Sequence, residues 1–147
     1  MGSWREKASA EAQSDMDALL TAALPFAQQQ LAKHGEFYPY GIALKNDGSV
    51  EMLAATTGQE RPPSTELLDL LAKGAAARLE QLRAAAFVAD VRIGPGQGDA
   101  IRVEIEHREG HAIAVLLPYS KKGIGTGVTY GQLIAAAGNH RLWPGSG

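Results

Sequence analysis

The 147-residue chain has no cysteine, which excludes disulfides, thiolate metal ligands and cysteine nucleophiles together. It is also short of cationic charge. Its 14 Lys and Arg against 16 Asp and Glu leave a formal charge of -2, with no surplus for neutralising phosphates, so nucleic acid is not an expected partner. No segment approaches the roughly 20 apolar residues of a membrane span, and no membrane partner is expected. The opening residues, Met1 to Lys7, are polar and mixed in charge, unlike a signal peptide. Glu6 stands where an N-myristoylation pattern needs Ser or Thr. These absences predict a cytoplasmic protein without a cofactor.

What is present fits a globular chain: 45% of residues are hydrophobic and 20% charged. The length suits a single domain over residues 1–147, with residues 1–11 and 144–147 expected as flexible termini. Leu19, Leu20, Ala23, Phe26, Ala27, Gln30 and Leu31 recur at helical spacing, which predicts a helix over residues 12–33, kinked or divided at Pro25 and ended by His34-Gly35. Residues 37–45 and 50–55 flank Asn46-Asp47-Gly48-Ser49, a hairpin turn sequence. After Pro62-Pro63, Ser64 or Thr65 can cap a second helix whose buried stripe is Leu67, Leu68, Leu71, Ala75, Leu79 and Leu82.

Three strands follow, over residues 87–93, 101–106 and 112–117. Phe87, Ala89, Val91 and Ile93 alternate with Asp90 and Arg92, and Ile101, Val103 and Ile105 alternate with Arg102, Glu104 and Glu106. Such alternation predicts one covered face and one solvated, charged face. A Gly-rich loop over 121–127 and a short helix over 130–137 close the chain. The expected fold is α+β, in the order α-β-β-α-β-β-β-α, with a five-stranded, mainly antiparallel sheet and both long helices on its apolar face.

Four places stand out as candidate sites. Lys121-Lys122-Gly123-Ile124-Gly125-Thr126-Gly127 could present backbone N–H groups to an anion, although it matches neither the phosphate-loop nor the dinucleotide pattern. Glu106-His107-Arg108-Glu109-Gly110-His111 gathers two imidazoles at one turn. With Glu109-Gly110 as the tip, His107 opposes Ala112 and the histidines fall on opposite faces, so no metal site is expected. Phe37-Tyr38-Pro39-Tyr40-Gly41 holds three of the seven Phe and Tyr residues, with Tyr38 and Tyr40 the expected exposed members. On the charged strand face, Arg102 and Glu104 can pair with each other or meet a partner. No nucleophile-elbow sequence is present.

Residues 34–41, 103–108 and Pro118-Tyr119 resemble segments of small uncharacterised bacterial proteins. That resemblance implies a bacterial, single-domain α+β context and no activity. The expected function is a non-enzymatic module that binds another protein or itself as a homo-oligomer, in the manner of a small immunity protein. The alternative is a small-molecule or nucleotide-binding enzyme using the loop over 121–127.

Overall fold

The computed structural model describes residues 9–54, 64–94, 98–121, 127–138 and 140–143. Helix α1 runs Ala10–His34, with Ser9 as its N-cap. Ser9 Oγ accepts the Ala12 N–H at 3.0 Å, and Gly35, at φ 75°, closes the other end by donating its N–H to the Leu31 carbonyl. Strands β1 (Tyr40–Lys45) and β2 (Val50–Leu53) form the expected hairpin. Its turn is a three-residue one: Gly48 has φ 89° and donates to the Lys45 carbonyl, while the Lys45 N–H reaches the Ser49 carbonyl.

Helix α2 (Ser64–Ala76) stops earlier than the leucine stripe suggests; a 3-10 turn at Leu79–Gln81 leads straight into β3 (Leu82–Gly94). Then come β4 (Gly98–His107), β5 (His111–Lys121), β6 (Val128–Tyr130) and β7 (Ile134–Ala137). Among the described residues the sheet thus has seven strands, not five, all paired antiparallel in the order β2-β1-β3-β4-β5-β6, with β7 also on β5. The helix expected over 130–137 is the interrupted edge formed by β6 and β7. The interruption has a cause in Pro118. Its carbonyl accepts the Gly131 N–H, so its nitrogen, which has no hydrogen to give, faces this edge as well.

The two helices lie on opposite faces, which corrects the expectation of both on one. Met16, Leu19, Ala23, Ala27 and Leu31 of α1 pack on Ile42, Leu44, Ala84, Ala86, Val88, Ile101, Val103 and Ile105. Leu71 and Ala75 of α2 pack on Ala43, Ala85 and Phe87, the intervening residues of the same strands. Ala84, Ala85 and Ala86 are fully buried between the two layers. Their small side chains let both helices approach one strand, and this packing overrides the helix propensity of an alanine run. Register also moves the faces: Phe87 opposes Glu104 and Asp90 opposes Ile101, so Phe87 lies on the side of the charged β4 residues and Asp90 on the α1 side.

Candidate functional site

Tyr40, expected at the surface, is 4% exposed, whereas Tyr38 is 54% exposed. The Tyr40 hydroxyl accepts the Ala27 N–H at 3.1 Å and donates to the Ala23 carbonyl at 2.5 Å. It therefore sits between the two groups that would otherwise bond directly, just past Pro25, and accounts for how α1 runs through the proline as one element. Phe26 and Phe37 meet the Tyr40 ring edge-on, with centroids at 4.8 and 5.9 Å. Burial pushes its phenol up to about 12.

Tyr38 lines a cavity of about 510 Å³ with Gln30, His34, Glu36, Phe37, Ser64 and Asp90. A second cavity of about 310 Å³ shares Glu36 and Asp90 and adds Arg92, Asp99 and Tyr119. Tyr119 donates to Asp90 Oδ1 at 2.5 Å; burial, then the neighbouring Asp90, holds its phenol above the usual range. Arg92 approaches Asp99 at 3.8 Å. Among the described residues its lining sets three carboxylates against one arginine, a balance unfavourable to an anionic ligand.

The face read as charged and solvated is covered at its centre. Glu104 and Glu106 are 5% and 2% exposed. The Glu106 carboxylate accepts the backbone N–H groups of Arg141, Leu142 and Trp143, at 2.5 to 3.0 Å. Arg141 reaches Glu104 Oε2 at 3.2 Å and Asp69 of α2 at 3.9 Å, while Leu142 and Trp143 join the apolar cluster around Phe87. Trp143 thus ties down the end of the described chain. Arg102 lies beside this closure, 3.9 Å from Glu104. Gly138 lets the chain leave β7 tightly, since a Cβ there would fall 2.5 Å from the Ile113 nitrogen.

The two turn histidines also differ from expectation. His107 opposes His111 directly, which puts both on the α1 face. His107, 1% exposed, accepts the Glu109 N–H at Nδ1 (3.1 Å), so Nε2 carries the proton donated to Asp15 Oδ2 at 2.9 Å. Both ring nitrogens are thus engaged in hydrogen bonds within the fold. Glu109 also accepts from Ser9 Oγ at 2.7 Å, and that bond, ahead of the two histidines, holds its carboxyl below the usual range. Of the Gly-rich segment, Lys121 ends β5, while Lys122, Gly123 and Gly125 lie outside the described residues.

A feature that sequence reasoning passed over is the edge strand β2. Among the described residues, no strand pairs with its outer side. The Lys45–Ser49 bond and the register fix which groups point inward: those of Glu51 and Leu53 face β1, and those of Val50 and Met52 face out. The same two residues expose their side chains, by 47% and 49%. Glu51, on the opposite face, is bound by Arg78, which holds its carboxyl below the usual range.

No family model, curated protein or solved structure matches this chain. The signal for the edge lay in the sequence: Val50-Glu51-Met52 places two apolar residues on the solvent side of a short strand next to a turn, with no proline or lysine to guard it. What hid it was the position of β2 at the sheet edge, which depends on long-range pairing of β1 with β3.

Proposed function

We propose that this chain is a cytoplasmic bacterial module that binds another protein or itself and carries out no chemistry, with the outer edge of β2 as its contact surface. One observation carries this reading: outward-pointing backbone groups and exposed apolar side chains coincide at Val50 and Met52. An edge of this kind adds a strand from a partner, with main-chain hydrogen bonds supplying affinity and alternate side chains supplying fit. The enclosed polar groups lend support by elimination of roles, since His107, Glu104 and Glu106 are each held by structural partners. The nucleotide-binding alternative draws less support, because the cleft at the end of β5 from which the Gly-rich loop departs is lined by Glu36, Asp90 and Asp99.

The test compares the wild-type chain with a Val50→Lys/Met52→Lys variant, by light scattering and by quantifying proteins retained from the source lysate. Association or retention of a discrete protein should fall at least about tenfold in the variant, a loss of about 1.4 kcal/mol. Equal behaviour of the two chains, or a strict wild-type monomer that retains nothing, overturns the proposal.

A further inference from the structure

We infer that the tip of the β4–β5 hairpin is an acid-sensitive latch on the start of α1, released when His107 takes a second proton. Two side-chain contacts join these segments: Ser9, the N-cap of α1, donates to Glu109 Oε2 at 2.7 Å, and His107 Nε2 donates to Asp15 Oδ2 at 2.9 Å. The tip itself is held by His107. Its Nδ1 accepts the Glu109 backbone N–H at 3.1 Å, and its carbonyl accepts the Gly110 N–H at 2.9 Å. One buried ring, 1% exposed, therefore holds both the helix and the residue that reaches the helix cap.

The hydrogen bonds of the closed tip need the neutral ring. A second proton on Nδ1 turns the acceptor of the Glu109 N–H into a donor, and two N–H groups then face each other at hydrogen-bond distance. The conflict is relieved when the backbone of residues 108–110 turns away, which draws the Glu109 carboxylate off Ser9. The Asp15 contact survives, since Nε2 donates in either state. Opening is thus confined to the tip and the first turn of α1, while the apolar stripe from Met16 onward stays in place. The charges facing the ring are mixed. Asp15 of α1 and Glu109 of the tip favour the second proton; Arg83 of β3, 3.8 Å from Asp15, and His111 of β5, opposite His107 in the ladder, oppose it. Arg108 is turned to Glu11 and Asn46. His111 also lies 3.6 Å from Glu109, so its titration has to be separated from that of His107.

An imidazole free to take its second proton does so near about pH 6.5, so an opening that takes up one proton grows about tenfold as the pH falls from about 7.5 to about 5.5. Amide exchange of the full chain, expressed as protection relative to free peptide, reads this opening. Protection at residues 108–110 should fall about tenfold over that range, and protection at residues 85–88 of β3 should hold. His107→Gln, whose side chain does not titrate, should abolish the pH dependence, and His111→Gln should keep it. The ring nitrogen signals of His107 in the wild-type chain give a reading that needs no variant: Nδ1 should gain its proton in step with the loss of protection. Protection at 108–110 that is flat in pH, a pH dependence that vanishes with His111→Gln, or an equal fall at residues 85–88 overturns the inference. So does a protonated Nδ1 with the amides of 108–110 still protected.

Discussion

The two faces of the sheet are closed by different means. On one side a 25-residue helix lays a continuous apolar stripe over β1, β3 and β4, and near its start Asp15 accepts from His107 and lies 3.8 Å from Arg83. On the other, the 13-residue α2 covers β1 and β3, and the centre of β4 is sealed by residues 141–143 through the carboxylates of Glu104 and Glu106. A strand that alternates apolar and charged residues thus has both faces covered. Charge on a strand marks solvent only when no later segment brings donors to it.

The closure of the α2 face is most exposed to test at Glu106. Glu106→Ala removes the acceptor for three backbone N–H groups and leaves them beside an apolar cluster, so unfolding in urea should show a loss of about 3–4 kcal/mol. In a Trp4→Phe background, emission from Trp143 should shift to the red as residues 141–143 detach. A loss under about 1 kcal/mol, or unmoved emission, would mean that the two faces are closed alike by apolar contact.

His107→Ala tests the opposite face. It removes the bond to Asp15 and the acceptor for the Glu109 N–H from a buried site, with an expected cost of about 2–3 kcal/mol. Amide exchange should speed up at residues 108–110 and at the start of α1, which Ser9 links to Glu109, while Trp143 emission stays as it was. Movement of Trp143 in this variant would show that the faces are coupled.

Tyr40→Phe has a smaller effect, about 1–2 kcal/mol, because the Ala27 N–H can regain the Ala23 carbonyl once the hydroxyl is gone. Its pH dependence is more telling. The folded-state phenol is raised from 10.0 to about 12, so the folded chain holds this proton over a range where the unfolded chain has lost it. That contribution is present in full below about pH 10 and is lost as pH rises toward 12. Tyr119 is raised as well, so the variant keeps some alkaline slope; the expected result is a shallower slope than wild type. Equal slopes would remove Tyr40 from the closure of the α1 face.

The α1 face was the readable one, and the reason is local. Leu19, Ala23, Ala27 and Leu31 declare themselves by helical spacing, and Ile101, Val103 and Ile105 by alternation. The α2 face depends on contacts between residues more than 30 positions apart, Glu106 with Arg141, Leu142 and Trp143, and nothing in the neighbourhood of either partner announces the other. The alanine run near the end of the chain misled for the same reason, and the one at residues 84–86 carries no local strand signal either. Residues 84–86 and 135–137 favour helix in isolation, and they are strands because β1, β4 and β5 supply partners. Of the candidate residues, Tyr38 is exposed as expected, Tyr40 and Glu104 are enclosed, and the edge at Val50 and Met52 emerged only once strand order was known.

The smallest expected effect on stability separates closure from function. Met52 lies on the α1 face of β2 beyond the reach of the helix and is half exposed, so Met52→Lys should change unfolding free energy by no more than about 0.5 kcal/mol. Glu106→Ala should do the reverse, lowering stability while leaving the β2 edge intact in the folded fraction. Association measured where both variants are more than nine-tenths folded should therefore fall with Met52→Lys and persist with Glu106→Ala. If Glu106→Ala also abolished association, the contact surface would have to include the sealed α2 face, and the β2 edge would lose its standing as the site.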